Sequence, residues 1–281
     1  MFTSTVNKHH LNRFNSLAAF TEYSRGLEDH RSPAMKRDNG KGKYYGTAKS
    51  MAELHGLADK GMAREGIKAL ALAQNRVQSM NRELEDQSFA TQWDVCGADV
   101  DVARFLAGEQ DNMMEYVFTP DTAIQPVVTL VTNVAVHCGI TDKAFQTQGA
   151  ALVAVAEAID SVGLQSEIWV DCTITESYSK TTGYTGRFSV RLKSGDGPFD
   201  SGAFMFALTH PGFFRGMVLN AMHAWPKAWR DAMGVGGFYG FPTGQFVHPE
   251  DYPDGAIYIP AMDDNKQAGT CLLYTSPSPR D

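Results

Sequence analysis

Four side chains stand where a polar ligand set could assemble: Asn133, His137, Asp171 and Asp263. Each lies at or near the end of a stretch that reads as a β-strand. In a mostly parallel sheet the carboxyl ends of the strands converge on one edge, and ligands bind there. Val127–His137 would bring Asn133, Ala135 and His137 to that edge. Ser166–Thr175 would bring Asp171, Thr173 and Thr175, and Ala256–Ala261 runs into Asp263 and Asp264. An amide, an imidazole and two carboxylates at one edge could hold a divalent cation or polarise a bound molecule, which makes these four the candidate metal or binding set.

Other clusters suggest different chemistry. GVGGFYGFPTG, Gly234–Gly244, is glycine-rich like a phosphate cradle, but no Lys-Ser/Thr follows it and no strand leads directly in. Its Phe238, Tyr239 and Phe241 read instead as an aromatic contact surface on a loop. Arg31, Lys36, Arg37, Lys41 and Lys43 form a basic arm that could touch nucleic acid. A solvated linker is the simpler account of that arm, because no aromatic side chain interleaves until Tyr44. His137 and Cys138 are neighbours, but adjacent strand residues face opposite ways and make a poor dyad. GxSxG and HExxH are both absent. His210 precedes Pro211 and reads as a cap or packing group at a helix break. Asp94, Asp99, Asp101 and Glu109 read as a solvated acidic loop or a site for a cation or basic partner.

The elements that must position these groups follow from periodicity. Asn12–Gly26 predicts a short helix ending at a glycine. Ser50 and Glu53 have the spacing of a capping box, and Gly61 can end the helix they open. A second helix carries Ile67, Leu70, Ala71, Val77 and Leu84 on one side, so residues 46–92 predict a helical hairpin. VVTLVTNVAVH is the near-continuous β-branched run of a doubly buried strand. A helix from Thr141 or Asp142 to about Val162 then turns Ala144, Ala151, Val155 and Ile159 inward. On Ser166–Thr175, Ile168, Val170, Cys172 and Ile174 share one face, with Trp169, Asp171 and Thr173 on the other. Strict alternation over Tyr184–Lys193 predicts an antiparallel edge strand with one wet face. Two apolar helices follow, Asp200–Thr209 and Gly212–Met222, separated where proline cannot continue a helix.

Composition sets the limits. The net charge of −7 disfavours a general electrostatic grip on nucleic acid. No apolar run approaches the length of about 18 residues that spans a bilayer. MFTSTVNKHHLNRF lacks the apolar core of a secretory signal. Cys96, Cys138 and Cys172 are scattered, with no CxxC, as free thiols of a reducing compartment would be.

Three resemblances add to this reading. YYGTAKSMAELHGLADKGMAREG, WDVCGADVDVARFLAGEQ and FALTHPGFFRGMVLNAM resemble segments of an uncharacterised family of tailed-phage proteins, which implies a phage gene product working in the cytoplasm of a bacterial host. The order of elements over Pro126–Gly269 resembles the von Willebrand factor A fold, an α/β, Rossmann-like, mostly parallel sheet. In that family the first strand carries Asp-x-Ser-x-Ser for Mg²⁺ and a later strand supplies another Asp. Here the first motif reads Asn133-Val134-Ala135-Val136-His137, so the ion site is degenerate, while Asp263 suits the later position. The resemblance also suggests an AAA+ ATPase as protein partner. Finally, CLLYTSPSPRD, Cys271–Asp281, resembles one reading frame of a sequencing-library adapter, so the native sequence is expected to run off near Thr270, inside a domain.

The resulting expectation is an N-terminal helix and linker over 1–45, the hairpin over 46–92, an incomplete α/β domain over 93–270 and an adapter-derived tail over 271–281. In function it is a non-enzymatic interaction module with no cofactor. A metal-dependent binder or enzyme at the sheet's carboxyl edge is the alternative, and nucleic-acid binding through the basic arm a third.

Overall fold

Alternating β-branched strands and amphipathic helices build a mixed α/β protein. The computed structural model describes residues 1–30, 45–84, 90–117, 126–135, 140–176, 183–235, 240–243 and 245–262. In chain order the elements are β1 (Phe2–Val6), β2 (His9–Phe14), α1 (Leu17–Gly26), α2 (Met51–Lys60) and α3 (Ala63–Leu84). Then come β3 (Ala90–Asp94), β4 (Asp99–Val100), α4 (Val102–Leu106), β5 (Met113–Val117), β6 (Val127–Asn133), α5 (Asp142–Ser161), β7 (Gln165–Thr175) and β8 (Thr185–Lys193). The last are α6 (Ser201–Thr209), a π-helical turn (Phe213–Val218), α7 (Leu219–His223), α8 (Lys227–Met233), β9 (Phe241–Pro242), a 3₁₀ turn (Pro249–Asp251) and β10 (Ile257–Ile259). They form two units, one of residues 1–74 with 126–281 and one of residues 75–125.

In the larger unit the sheet order is β1-β2-β8-β7-β6-β10, with β9 also paired to β7. The β2–β8, β6–β7 and β6–β10 ladders are parallel, while β1–β2 and β7–β8 are antiparallel. A mostly parallel sheet of six strands is therefore present, with one correction to the sequence reading. β8 is antiparallel to β7 as expected, but it is not an edge. The N-terminal hairpin covers it, so residues 12–14, expected in a helix, form the end of β2. Asn7 and Lys8 turn that hairpin with positive φ at both positions, the backbone of a type I′ turn, without the usual glycine. Burial follows: of Ser189, Arg191 and Lys193, on the face expected to be wet, Ser189 and Lys193 are buried and Arg191 half-buried, and Arg187 in the same phase is buried as well.

Described helices of this unit cover one face of the sheet. Phe14, Phe20, Phe188, Val170, Ile174, Phe206, Phe213 and Leu219 share one core with Leu54, Ala58, Ala69 and Ala73 from α2 and α3. The Ser50 hydroxyl accepts from the Glu53 amide at 3.2 Å, and the Glu53 carboxylate reaches back to the Lys49 amide at 2.8 Å, one residue beyond the cap. Two helix faces are rotated from those expected. α3 buries Gly66, Ala69 and Ala73 and leaves Ile67 66% exposed, and α5 buries Ala144 as expected but then Gln148, Gly149, Leu152, Val153 and Ala156 rather than Ala151, Val155 and Ile159. In both, a glycine lets the helix approach α6, and that close crossing decides the rotation. His210 closes α6 and accepts from the Gly212 amide at 3.2 Å, and its ring stacks on Phe206.

In the unit of residues 75–125, β3, β5 and β4 form an antiparallel sheet. Asp101 caps α4, accepting from the Ala103 and Arg104 amides and from the Trp93 indole. Those bonds, the Arg104 amide foremost, hold its carboxyl below the usual range. Glu109 pairs with Arg104 at 3.2 Å and Asp94 accepts from the Val95 amide, so this acidic stretch is used largely by its own loops.

Gly66→Ala is expected to test the close crossing. A glycine-to-alanine change inside a helix normally stabilises by up to about 1 kcal/mol. Here the new Cβ would stand 2.7 Å from the Gly202 nitrogen, so the change should instead cost about 1–3 kcal/mol in urea unfolding.

Candidate functional site

The second face of the sheet is polar and is covered by the chain between Gln245 and Tyr258. Its centre is Arg187 on β8, fully buried against an equally buried Asp171 on β7, Nε to Oδ1 3.3 Å. Cross-strand register puts Arg187 opposite Thr173, and Nε donates to the Thr173 hydroxyl at 3.0 Å. Nη1 donates to the His248 carbonyl at 2.7 Å and to the Asp251 carboxylate, and Nη2 donates to the Val247 carbonyl. The guanidinium lies 5.2 Å from the centre of the Tyr252 ring, whose hydroxyl is 2.6 Å from Ser189 Oγ. Arg13 on β2 adds a second cation over Trp169 and Tyr252 and donates to the Asp251 carbonyl.

Two carboxylates thus share one buried guanidinium. Burial pushes the Asp171 carboxyl up to about 6, although Arg187 and the Thr173 hydroxyl pull the other way. Asp251 differs: burial raises it, but the hydrogen bond from His9 and the charge of Arg187 outweigh that and hold it below the usual range.

Beside this clamp, at the same end of β7 as its carboxyl terminus, lies a histidine cluster. His9 opens β2 and is in register with Thr185, which opens β8. His9 Nε2 is 3.0 Å from Asp251 Oδ2, and His9 Nδ1 is 2.8 Å from the Thr185 hydroxyl. His248 approaches the same hydroxyl from the covering loop, Nε2 to Oγ1 3.0 Å, while its Nδ1 lies 2.8 Å from Glu250. The two rings stack at 3.9 Å. His248 has φ 55, a left-handed backbone that a non-glycine residue adopts at a cost of roughly 1–2 kcal/mol, here held by the Arg187 bond to its own carbonyl.

Of the residues expected from the sequence, Asn133 and Asp171 are brought together as register partners. Their polar atoms, however, are engaged internally. Asn133 donates to the Thr243 carbonyl at 2.9 Å and the Tyr258 hydroxyl at 2.8 Å, and accepts from the Ala135 amide. Asp171 Oδ2 accepts from Thr173. His137 and Asp263 lie outside the described residues, as do Phe238, Tyr239, Arg31, Lys36, Arg37, Lys41, Lys43, the His137–Cys138 pair and the Cys271–Asp281 tail. Phe241 is 39% exposed on β9, with its ring edge over Gly234. Among the described residues, no three His, Cys, Asp or Glu side chains are placed to share a metal ion, and no helix is long and apolar enough to cross a membrane.

His9, Thr185, His248, Glu250, Asp251 and Arg187 were not singled out from the sequence. The only local trace is arginine in the alternation of β8, in phase with a carboxylate on β7. The rest depends on β2 joining β8 across the chain.

Compared with known proteins, residues 3–277 match one family model, a domain of unknown function, DUF7192. The chain belongs to that family. The match runs past Thr270 into the last stretch. No curated protein and no solved structure shows significant similarity to it.

Arg187→Met is expected to strand Asp171 and Asp251 in the interior and to cost about 3–5 kcal/mol in urea unfolding. Asp171 also has a pH signature. Its native carboxyl titrates at about 6 against 3.8 for an ordinary one, so between those values the native state binds the extra proton and the contribution of this group to stability falls as pH rises. Asp171→Asn should remove that slope from a series of melts across the same window.

Proposed function

We propose that this DUF7192 protein is a binding module, phage-encoded and working in the cytoplasm of a bacterial host, that contacts a protein partner through the carboxyl edge of the sheet and the aromatic glycine-rich segment. The observation that carries this reading is the double anchoring of that segment. Upstream, α8 ends at Gly234 with φ 67, and Val235 is buried in the core. Downstream, Phe241 and Pro242 pair with Thr175 and Ile174, the Thr243 amide donates to the Thr173 carbonyl at 3.0 Å, and Arg187 holds the chain again at Val247 and His248. In sequence, residues 236–240 lie between Val235 and Phe241, and they include Phe238 and Tyr239. Rigid ends reduce the entropy lost when a loop binds, and aromatic side chains are the usual anchors of interfaces. The likeness in element order to von Willebrand factor A domains makes an AAA+ ATPase one candidate partner, by analogy of fold alone.

The test is a photocrosslinker at position 241 of the full chain, expressed in the host together with the phage genes. One defined protein adduct is expected, lost when Phe238 and Tyr239 are both changed to alanine while the melting temperature holds. No adduct, or one indifferent to those changes, would sink the reading. The proposal includes no resident cofactor, so Mg²⁺, Mn²⁺ or Zn²⁺ should leave the melting temperature unchanged. A rise that Asp263→Ala abolishes would favour the metal-dependent alternative instead.

A further inference from the structure

Proton counting at the Thr185 hydroxyl leads beyond binding. Asp251 and Glu250 are carboxylates that only accept, so the nitrogens facing them, His9 Nε2 and His248 Nδ1, carry protons. If both rings were neutral, His9 Nδ1 and His248 Nε2 would both present lone pairs to Thr185, whose hydroxyl has one proton to give. Both contacts are satisfied when one ring carries an additional proton and donates to the Thr185 oxygen while the other accepts. The charges around the pair indicate which. Asp251 accepts from both His9 and Arg187, whereas Glu250 has His248 as its side-chain partner. His248 is therefore assigned as the donor to the Thr185 oxygen and His9 as the acceptor.

This is a hydroxyl, a base and an orienting carboxylate in line, with a second imidazole placed as acid on the same oxygen. The cluster is partly open to solvent, with the His248 side chain 28% exposed and His9 11%. We propose that Thr185 is a nucleophile for acyl transfer from small carboxylic esters, with His9 as general base, His248 as general acid and Asp251 and Glu250 as positioning residues. In the first step Thr185 Oγ bonds to the acyl carbon, its proton passes to His9 Nδ1, and the carbon–oxygen bond to the leaving alcohol breaks as that oxygen takes the proton from His248 Nε2. Water then attacks the threonyl ester, giving its proton to His248. His9 returns its proton to Thr185, and the carboxylic acid leaves. No oxidant, metal or further reactant enters.

The experiment incubates the full chain with p-nitrophenyl acetate and follows nitrophenolate release and intact mass. The expected result is one acetyl group, mapped to Thr185 by peptide mass spectrometry. Thr185→Ser should keep the adduct, Thr185→Val should abolish it with an unchanged melting temperature, and His9→Gln should slow its formation about 100-fold or more. An acetyl group on Lys8 or another side chain, an adduct that persists in the Thr185→Val variant, or neither an adduct nor nitrophenolate release above that of the Thr185→Val variant would overturn the assignment. The crosslink at position 241 reads binding independently, so failure of one does not entail failure of the other.

Discussion

A single buried guanidinium organises this protein. Arg187 spends its donors on Thr173, on the carboxylates of Asp171 and Asp251, and on two carbonyls of the covering loop. Water cannot replace those bonds in a site with no exposure, so the loop is tied to the sheet more firmly than its modest apolar contacts, Phe246, Tyr252 and Tyr258 around Val131 and Trp169, would achieve alone. An ion network of this kind contributes less to net stability than an apolar core of equal volume. What it fixes is geometry, because only one placement of the loop satisfies every charge.

That constraint explains how a sheet with described helices on one face keeps the other face dry. It also explains the backbone of His248. A left-handed histidine persists because its carbonyl is held by Arg187 and its ring by Thr185 and Glu250. The histidine cluster is therefore a consequence of that clamp, and it lies at the carboxyl end of β7, where Phe241 and Pro242 also pair. The carboxyl end of β7, where the sequence reading expected a ligand edge, is where His9, Thr185 and His248 meet. The groups gathered there differ from those expected, since Asn133 and Asp171 serve as internal ties while His9, Thr185 and His248 remain accessible.

Much of the fold was legible because it depends on neighbours in sequence. The cap at Ser50, the stop at Gly61, the runs of β6 and β7 and the break at His210–Pro211 are set by backbone sterics and local hydrogen bonds. The face assignment of β7 held for the same reason, as alternation survives any tertiary context. The helix expected over 12–14 was lost because Asn12 and Phe14 also fit a strand, and a short run cannot choose between periods without knowing its partner. The rotations of α3 and α5 were illegible because glycine carries no hydrophobic signal, yet decides how closely two helices approach.

The sequence by itself determined the α/β class, the boundaries of α5, β7, β8 and α6 to within a residue or so, the core face of the central strand and the lack of a bilayer-length apolar run. The tertiary structure alone decided that β8 is interior, that an arginine in its alternation is a core residue, and that His9 meets Thr185 and His248. The physical reason is that a polar strand residue reads as exposed unless the charge that neutralises it is known. Here that charge comes from Asp171, on the neighbouring strand, and from Asp251, on a distant loop, while the strand that closes the sheet over Arg187 comes from the N-terminus.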